Sequence, residues 1–235
     1  MLNVIKSFIN KEGGFVIPVL FFVGCFYALF GFEFGIKNNV EELPLLYKIL
    51  GIADYPQDIF VQYHTSNFTQ VTPFLILVAG FLKMAGTSDF FYPFFILHSF
   101  MISIYYVVIH FILNKIGRLG KYESAIVLLL LFYFSQQISI VPANRWLFTS
   151  AFDLELVVFV MLFGFFYFHI IENYNASSIL LILASILYPT YTIPLYPAVL
   201  ISMYFKMDLK KFIKISVSYL LIPAGYSIYL WFVSR

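Results

Sequence analysis

The chain reads as long apolar runs broken by short polar stretches. A helix that crosses a bilayer needs about 20 mainly apolar residues. Phe15–Phe34, Phe90–Leu113, Ser124–Ser139, Phe152–Ile171 and Phe212–Val233 approach or exceed that length, and each predicts a span. Ser178–Phe205 is also apolar but holds Pro189, Pro194 and Pro197. A straight helix does not accommodate that spacing, so two short helices meeting at the Tyr188–Pro194 break are expected. Thr72–Gly86 is apolar over only 15 residues. At about 1.5 Å per residue it reaches roughly 22 Å, short of a hydrocarbon core of about 30 Å. It reads as a helix lying at the interface or re-entering, inside a long outer loop over residues 35–90. The pattern predicts an all-α fold: a polytopic transmembrane helix bundle of about seven spans, a single transmembrane domain over residues 1–235. No cleavable small-x-small signature follows the first run, which reads as a retained anchor. No internal repeat, heptad or low-complexity tract is evident.

Composition sharpens the class. The sequence is 62% hydrophobic and 11% charged, whereas a soluble domain carries about a quarter charged residues. That excludes an ordinary soluble enzyme, a disordered chain and a disulfide-stapled secreted domain. The net charge of +2 is small and scattered and indicates no nucleic-acid partner. Cys25 is the single cysteine and forms no intrachain bridge. The basic residues suggest an orientation. With a cytoplasmic N-terminus and Thr72–Gly86 not crossing, the inner side holds nine: Lys6, Lys11, Lys115, Arg118, Lys121, Lys206, Lys210, Lys211 and Lys214. The outer side holds Lys37, Lys48, Lys83, Arg145 and Arg235. If Thr72–Gly86 crossed and the orientation were inverted, the split would be the same. That arrangement puts Lys6 and Lys11 outside and requires a 15-residue span, so the first is preferred. The expected location is an integral, multi-pass position in a bacterial plasma membrane, in contact with membrane lipid.

In this topology the polar residues gather on the outer side. Eight of the twelve acids fall there: Glu33, Glu41, Glu42, Asp54, Asp58, Asp89, Asp153 and Glu155. Gln136, Gln137, Asn144 and Arg145 join them. Ionisable groups in or beside spans usually face a bundle interior or a wet cavity, so a polar outer cavity is expected. Each component has two readings. Tyr55-Pro56-Gln57-Asp58 is either a turn whose Asp bonds nearby backbone or the seat of a catalytic or metal-binding carboxylate, with Asp54 four residues away. Arg145 either pairs with Asp153 or Glu155 or grips a phosphate. Asp153 and Glu155 lie two apart on a helix and face different directions, so one of them at most lines the cavity. Glu33 either marks the water boundary or serves the site. His64, His98, His110 and His169 lack zinc-ligand spacing and read as packing or interface residues. No GxGxxG, Walker loop or Gly-x-Ser-x-Gly occurs.

One span, a long acidic outer loop and a short interfacial helix resemble the polyprenyl-phosphate-sugar-dependent membrane glycosyltransferases of the GT-C superfamily. The likeness rests on Tyr55-Pro56-Gln57-Asp58-Ile59-Phe60-Val61, on the apolar Thr72–Gly86 that follows, and on the later break Tyr188-Pro189-Thr190. No adjacent Asp-Glu or Asp-x-Asp pair follows the first span, a departure from better-known branches, which are also longer. The chain is about the size of the seven-span module the family shares and is expected to be a fragment carrying that module, a minimal version or a degenerate one. The resemblance implies transfer of a sugar from a lipid-phosphate donor on the outer face. Asp58 would be the catalytic carboxylate, with Asp54 and Glu33 in reserve. Chemistry alone would set Arg145, Asp153, Glu155 and Gln137 toward substrate. The pattern identifies no cofactor with certainty, and a divalent Mg²⁺ or Mn²⁺ would suit oxygen ligands. Two rival readings are a non-catalytic membrane scaffold for a larger envelope-assembly partner and, from the proline breaks, a transporter.

Overall fold

The computed structural model describes residues 14–34, 39–66, 72–86, 89–137, 152, 154–188, 192 and 195–205, with short helical pieces at 212–213, 216–217, 225 and 228–229. No strand occurs among them. Nine helices are defined among the described residues: α1 Val16–Phe30, α2 Asn39–Ile49, α3 Ile59–Ser66, α4 Thr72–Ala85, α5 Phe91–Gly117, α6 Lys121–Gln137, α7 Leu154–Ile170, α8 Tyr174–Leu187 and α9 Leu195–Tyr204. The outer loop expected to hold one helix contains three, α2, α3 and α4. Ser178–Phe205 resolves into α8 and α9, as its prolines require. The expected span Phe212–Val233 lies mostly outside the described residues.

Helix ends follow local chemistry. Gly31 closes α1 at φ +71°, a conformation open to glycine without strain, and its amide reaches Tyr27 O at 3.0 Å. The Asp89 carboxylate accepts the Phe91 amide at 2.9 Å where α5 begins. Asn173 caps α8, accepting from the Ala176 amide at 3.4 Å.

Aromatic rings set α1 antiparallel to α5. Phe15 packs on His110 and Phe111 at 5.1 and 5.7 Å, Phe22 stacks on Tyr106 at 4.8 Å, and Phe32 meets Phe91 and Phe95 at 5.5 and 5.3 Å. Positions rise along one helix as they fall along the other. A hydrogen-bond chain joins the pair midway. Ser99 donates to Phe95 O at 2.8 Å, so its oxygen accepts from the Tyr27 hydroxyl at 2.7 Å. Tyr27 in turn accepts from His98 Nδ1 at 2.7 Å. Helix α6 completes this unit through Phe132, packed on Phe26 and Tyr105, and through the buried pair His110–Ser124 at 3.0 Å.

The chain therefore leaves α1 and enters α5 at one end of the bundle, here the exit end. Phe94 and Phe74 both pack on Phe152 there, at 5.6 and 5.7 Å, which brings the starts of α4 and α7 to the same end. Phe111 and Tyr167, 5.5 Å apart, join α5 to α7 toward the opposite end. Helices α7 and α8 form a tight hairpin through Ile171–Asn173. Ser177 donates to Phe165 O at 3.4 Å, and a Cβ on Gly164 would stand 2.9 Å from Leu180 Cδ1. Ser185 donates to Leu181 O and accepts from the Tyr196 hydroxyl, both at 2.6 Å, which holds α9 against α8.

Core and described surface are both largely apolar: Phe22, Phe94, Ile102 and Phe165 are among the fully buried side chains. Buried positions on α5 include His98, Tyr105, Tyr106 and His110. The outward faces carry Val16, Ile17, Leu20 and Leu29, which are 70%, 66%, 65% and 62% exposed, with Ile96, Phe100, Ile126 and Leu131 beyond them. Helix α5, at 27 residues, is long and apolar enough to cross a membrane, and α1, α4, α7 and α8 are apolar but shorter.

The Gly164 contact makes a graded prediction. Gly164→Ala displaces only the mobile end of Leu180 and leaves thermal stability in detergent within about 1 kcal/mol of the parent. Gly164→Leu forces α7 and α8 apart and destabilises by about 1–3 kcal/mol, measured in the same melts.

Candidate functional site

The segment between α2 and α3 forms an open concavity of about 730 Å³ lined by residues 54–60, with Asp54 and Asp58 the two acids in its wall. Local chemistry shapes it. The Asp58 amide donates to Tyr55 O at 3.1 Å, closing a turn around Pro56 and Gln57. Asp58 then starts α3: its carbonyl accepts the Gln62 amide at 2.9 Å and its Oδ1 accepts the Val61 amide at 3.1 Å. Asp58 is thus the N-cap of α3. Its Oδ2 has no protein partner among the described residues.

Asp54 stands four residues before it, exposed, with Oδ1 3.4 Å from Lys48 Nζ. Lys48 also donates to Gln62 Oε1. Gln62 Nε2 donates to Tyr55 O at 2.6 Å. Lys48 and Gln62 therefore brace the rim between the end of α2 and the first turns of α3. Sequence reading missed both. They lie 14 residues apart, and nothing in their spacing marks them as partners. Behind the rim, Tyr47 stacks on Phe90 at 5.1 Å and fixes the concavity to the exit end of the bundle.

The other expected site residues distribute as follows. Glu33 sits between Phe32 and Phe34, half-buried, in the segment that leaves α1 at the same end. Glu155 lies in the first turn of α7 and is buried in the bundle, 7% exposed. The carboxylates of Asp54 and Asp58 share one concavity. Glu33 and Glu155 share their end of the molecule but do not line it. Gln137 is the last residue of α6, and its side chain lies outside the described residues. Arg145 and Asp153 also lie outside them. Among the described residues no three His, Cys, Asp or Glu side chains come together to hold a metal ion. With Asp58 Oδ1 on the Val61 amide and Asp54 beside Lys48, the concavity is no ready-made oxygen cage. Three histidines join helices: His98 and His110 through the contacts above and His169 through Ser202 at 3.2 Å, whereas His64 packs on the Phe60 ring at 4.3 Å within α3.

Comparison with sequence-family models, with curated proteins and with solved structures finds no match.

The cap separates structure from chemistry at one position. Asp58→Ala removes the acceptor for the Val61 amide and lowers stability by about 1 kcal/mol, while Asp58→Asn retains a capping oxygen and costs no more than a few tenths. Thermal melts of the purified variants check both.

Proposed function

We propose that this chain is a multi-pass membrane protein that transfers a sugar from a polyprenyl-phosphate donor to an acceptor hydroxyl at the exit end of its bundle. The observation that carries the reading is the open acidic concavity. It holds two carboxylates on a turn braced from behind, and the cap leaves one oxygen of Asp58 available. That oxygen would act as general base. The acceptor O–H proton moves to Asp58 as the acceptor oxygen bonds to the sugar's anomeric carbon. The anomeric carbon–oxygen bond to the donor phosphate breaks, and the polyprenyl phosphate leaves with that electron pair. Arg145 would offset the charge gathering on the phosphate.

The membrane reading is supported by the apolar exterior. Exposed Val16, Ile17, Leu20, Ile96 and Phe100 around an equally apolar core suit lipid as solvent, not water. The orientation proposed has the N-terminus in the cytoplasm and the exit end outside. The return of the chain to one end between α1 and α5 favours it, since α4 then adds no net crossing. The bias of Lys and Arg toward the other side favours it too. A scaffold reading has its own support: Asp58 and Asp54 each already hold a structural contact.

Purified full-length protein in lipid vesicles with a polyprenyl-phosphate sugar tests the chemistry. Asp58→Asn, which retains the cap, is expected to lower transfer at least a hundredfold. Unchanged transfer removes Asp58 as the base. No transfer by the parent, together with capture of a larger stable membrane partner, selects the scaffold. Orientation has a separate test. With Cys25→Ala as background, Gln57→Cys should react with an impermeant maleimide on intact cells and Arg118→Cys only after permeabilisation; the reverse pattern overturns the orientation.

A further inference from the structure

We propose that the turn joining α5 to α6 is a docking site for the phosphate of an anionic lipid headgroup, gripped by Lys115 and Arg118 with Lys121 behind them. The inference rests on α5 crossing a bilayer, as proposed above. At about 1.5 Å per residue, its 27 residues span roughly 40 Å. Set in a core of about 30 Å, such a helix carries its last turns into the headgroup layer. Those turns hold Lys115, Arg118 follows in the connection, and Lys121 opens α6. Exposed Ile116 and Tyr122 flank the cations at the depth where the core meets water.

The turn is held rigid. The Arg118 amide reaches Asn114 O at 2.9 Å, Asn114 Nδ2 donates to Leu119 O at 3.0 Å, and the Tyr106 hydroxyl donates to Lys121 O at 2.8 Å. The Lys121 ammonium sits 4.7 Å above the Phe15 ring. Lys115 and Arg118 make no ion pair among the described residues. Glu123 Oε2 accepts the Gly120 amide at 2.7 Å, and Glu172, in the α7–α8 turn, makes no ion pair with Lys115 or Arg118 among the described residues. Arg118 itself stands at φ +54°, where glycine or asparagine closes a helix more cheaply. A side chain other than these costs about 1 kcal/mol there. An exposed arginine held at that cost, beside a second exposed cation and an apolar flank, suits a bidentate phosphate attached to acyl chains.

The strained position gives a test in which stability and binding move in opposite directions. Full-length protein in neutral detergent micelles receives phosphatidylglycerol, phosphatidylcholine or inorganic phosphate, with thermal unfolding and retained lipid by native mass spectrometry as readouts. Phosphatidylglycerol should raise the melting temperature of the parent and stay bound, and the other two should do neither. Arg118→Gly should melt no lower than the parent without lipid, yet bind phosphatidylglycerol about fivefold more weakly, the counterpart of about 1 kcal/mol per basic residue. Lys115→Gln should weaken it by a similar factor. Equal responses to the two lipids, an effect reproduced by inorganic phosphate, or full lipid binding by Arg118→Gly overturns the proposal. Release of the parent from membranes by alkaline carbonate would instead remove the crossing reading, with any lipid preference still measurable in micelles.

Discussion

The antiparallel pairing of α1 with α5 is the constraint on which the remaining geometry depends. Phe22 against Tyr106 and Phe32 against Phe91 and Phe95 bring two segments together across roughly 60 to 85 intervening residues. Each such ring pair contributes about 0.5–1.5 kcal/mol beyond the area it buries. Once the pair is formed, both of its termini at the exit end are fixed in space. The stretch containing α2, α3 and α4 must begin and finish there. The acidic turn before α3 inherits its location from that closure and from Tyr47 stacked on Phe90.

In the membrane reading proposed above, what holds helices together changes. Between apolar helices in an apolar solvent, burial of Leu against Leu gains little. Close contact and hydrogen bonds between polar side chains carry more of the association. The interfaces here follow that rule. Gly164 and Ser177 let α7 and α8 approach, Ser185 binds Tyr196, and His110 binds Ser124. These are small or polar residues embedded in long hydrophobic runs, and none points outward toward the Ile and Leu faces.

The sequence made the helical class legible, together with the cores of α5, α6 and α7, because their apolar runs are long. It did not reveal α2 or α3. Asn39–Ile49 mixes Glu41, Glu42 and Lys48 with Pro44, and its helical character depends on burying Leu43, Leu45 and Leu46 against the bundle. The same holds for the site. Tyr55-Pro56-Gln57-Asp58 is visibly a turn, and the Val61 amide on Asp58 shows the capping role that the turn reading anticipated. Lys48 and Gln62 become rim residues only when α2 and α3 pack side by side. By position Glu155 reads as an outer-side acid that could line a cavity, but it is buried in the first turn of α7, a burial set by tertiary packing that no local pattern encodes.

Helix α1 is apolar on every side: Phe22 and Phe26 face inward while Val16, Ile17, Leu20 and Leu29 face outward. Hydrophobicity alone therefore gives it no preferred azimuth, and a rotation of one residue would exchange one greasy stripe for another. Tyr27 helps remove that degeneracy. Its hydroxyl has a single sense of donation, from His98 through Tyr27 to Ser99, and that relay closes only when this tyrosine faces α5. One oxygen atom thus adds a directional key to the rotational setting that the ring pairs of Phe22 and Phe32 already favour.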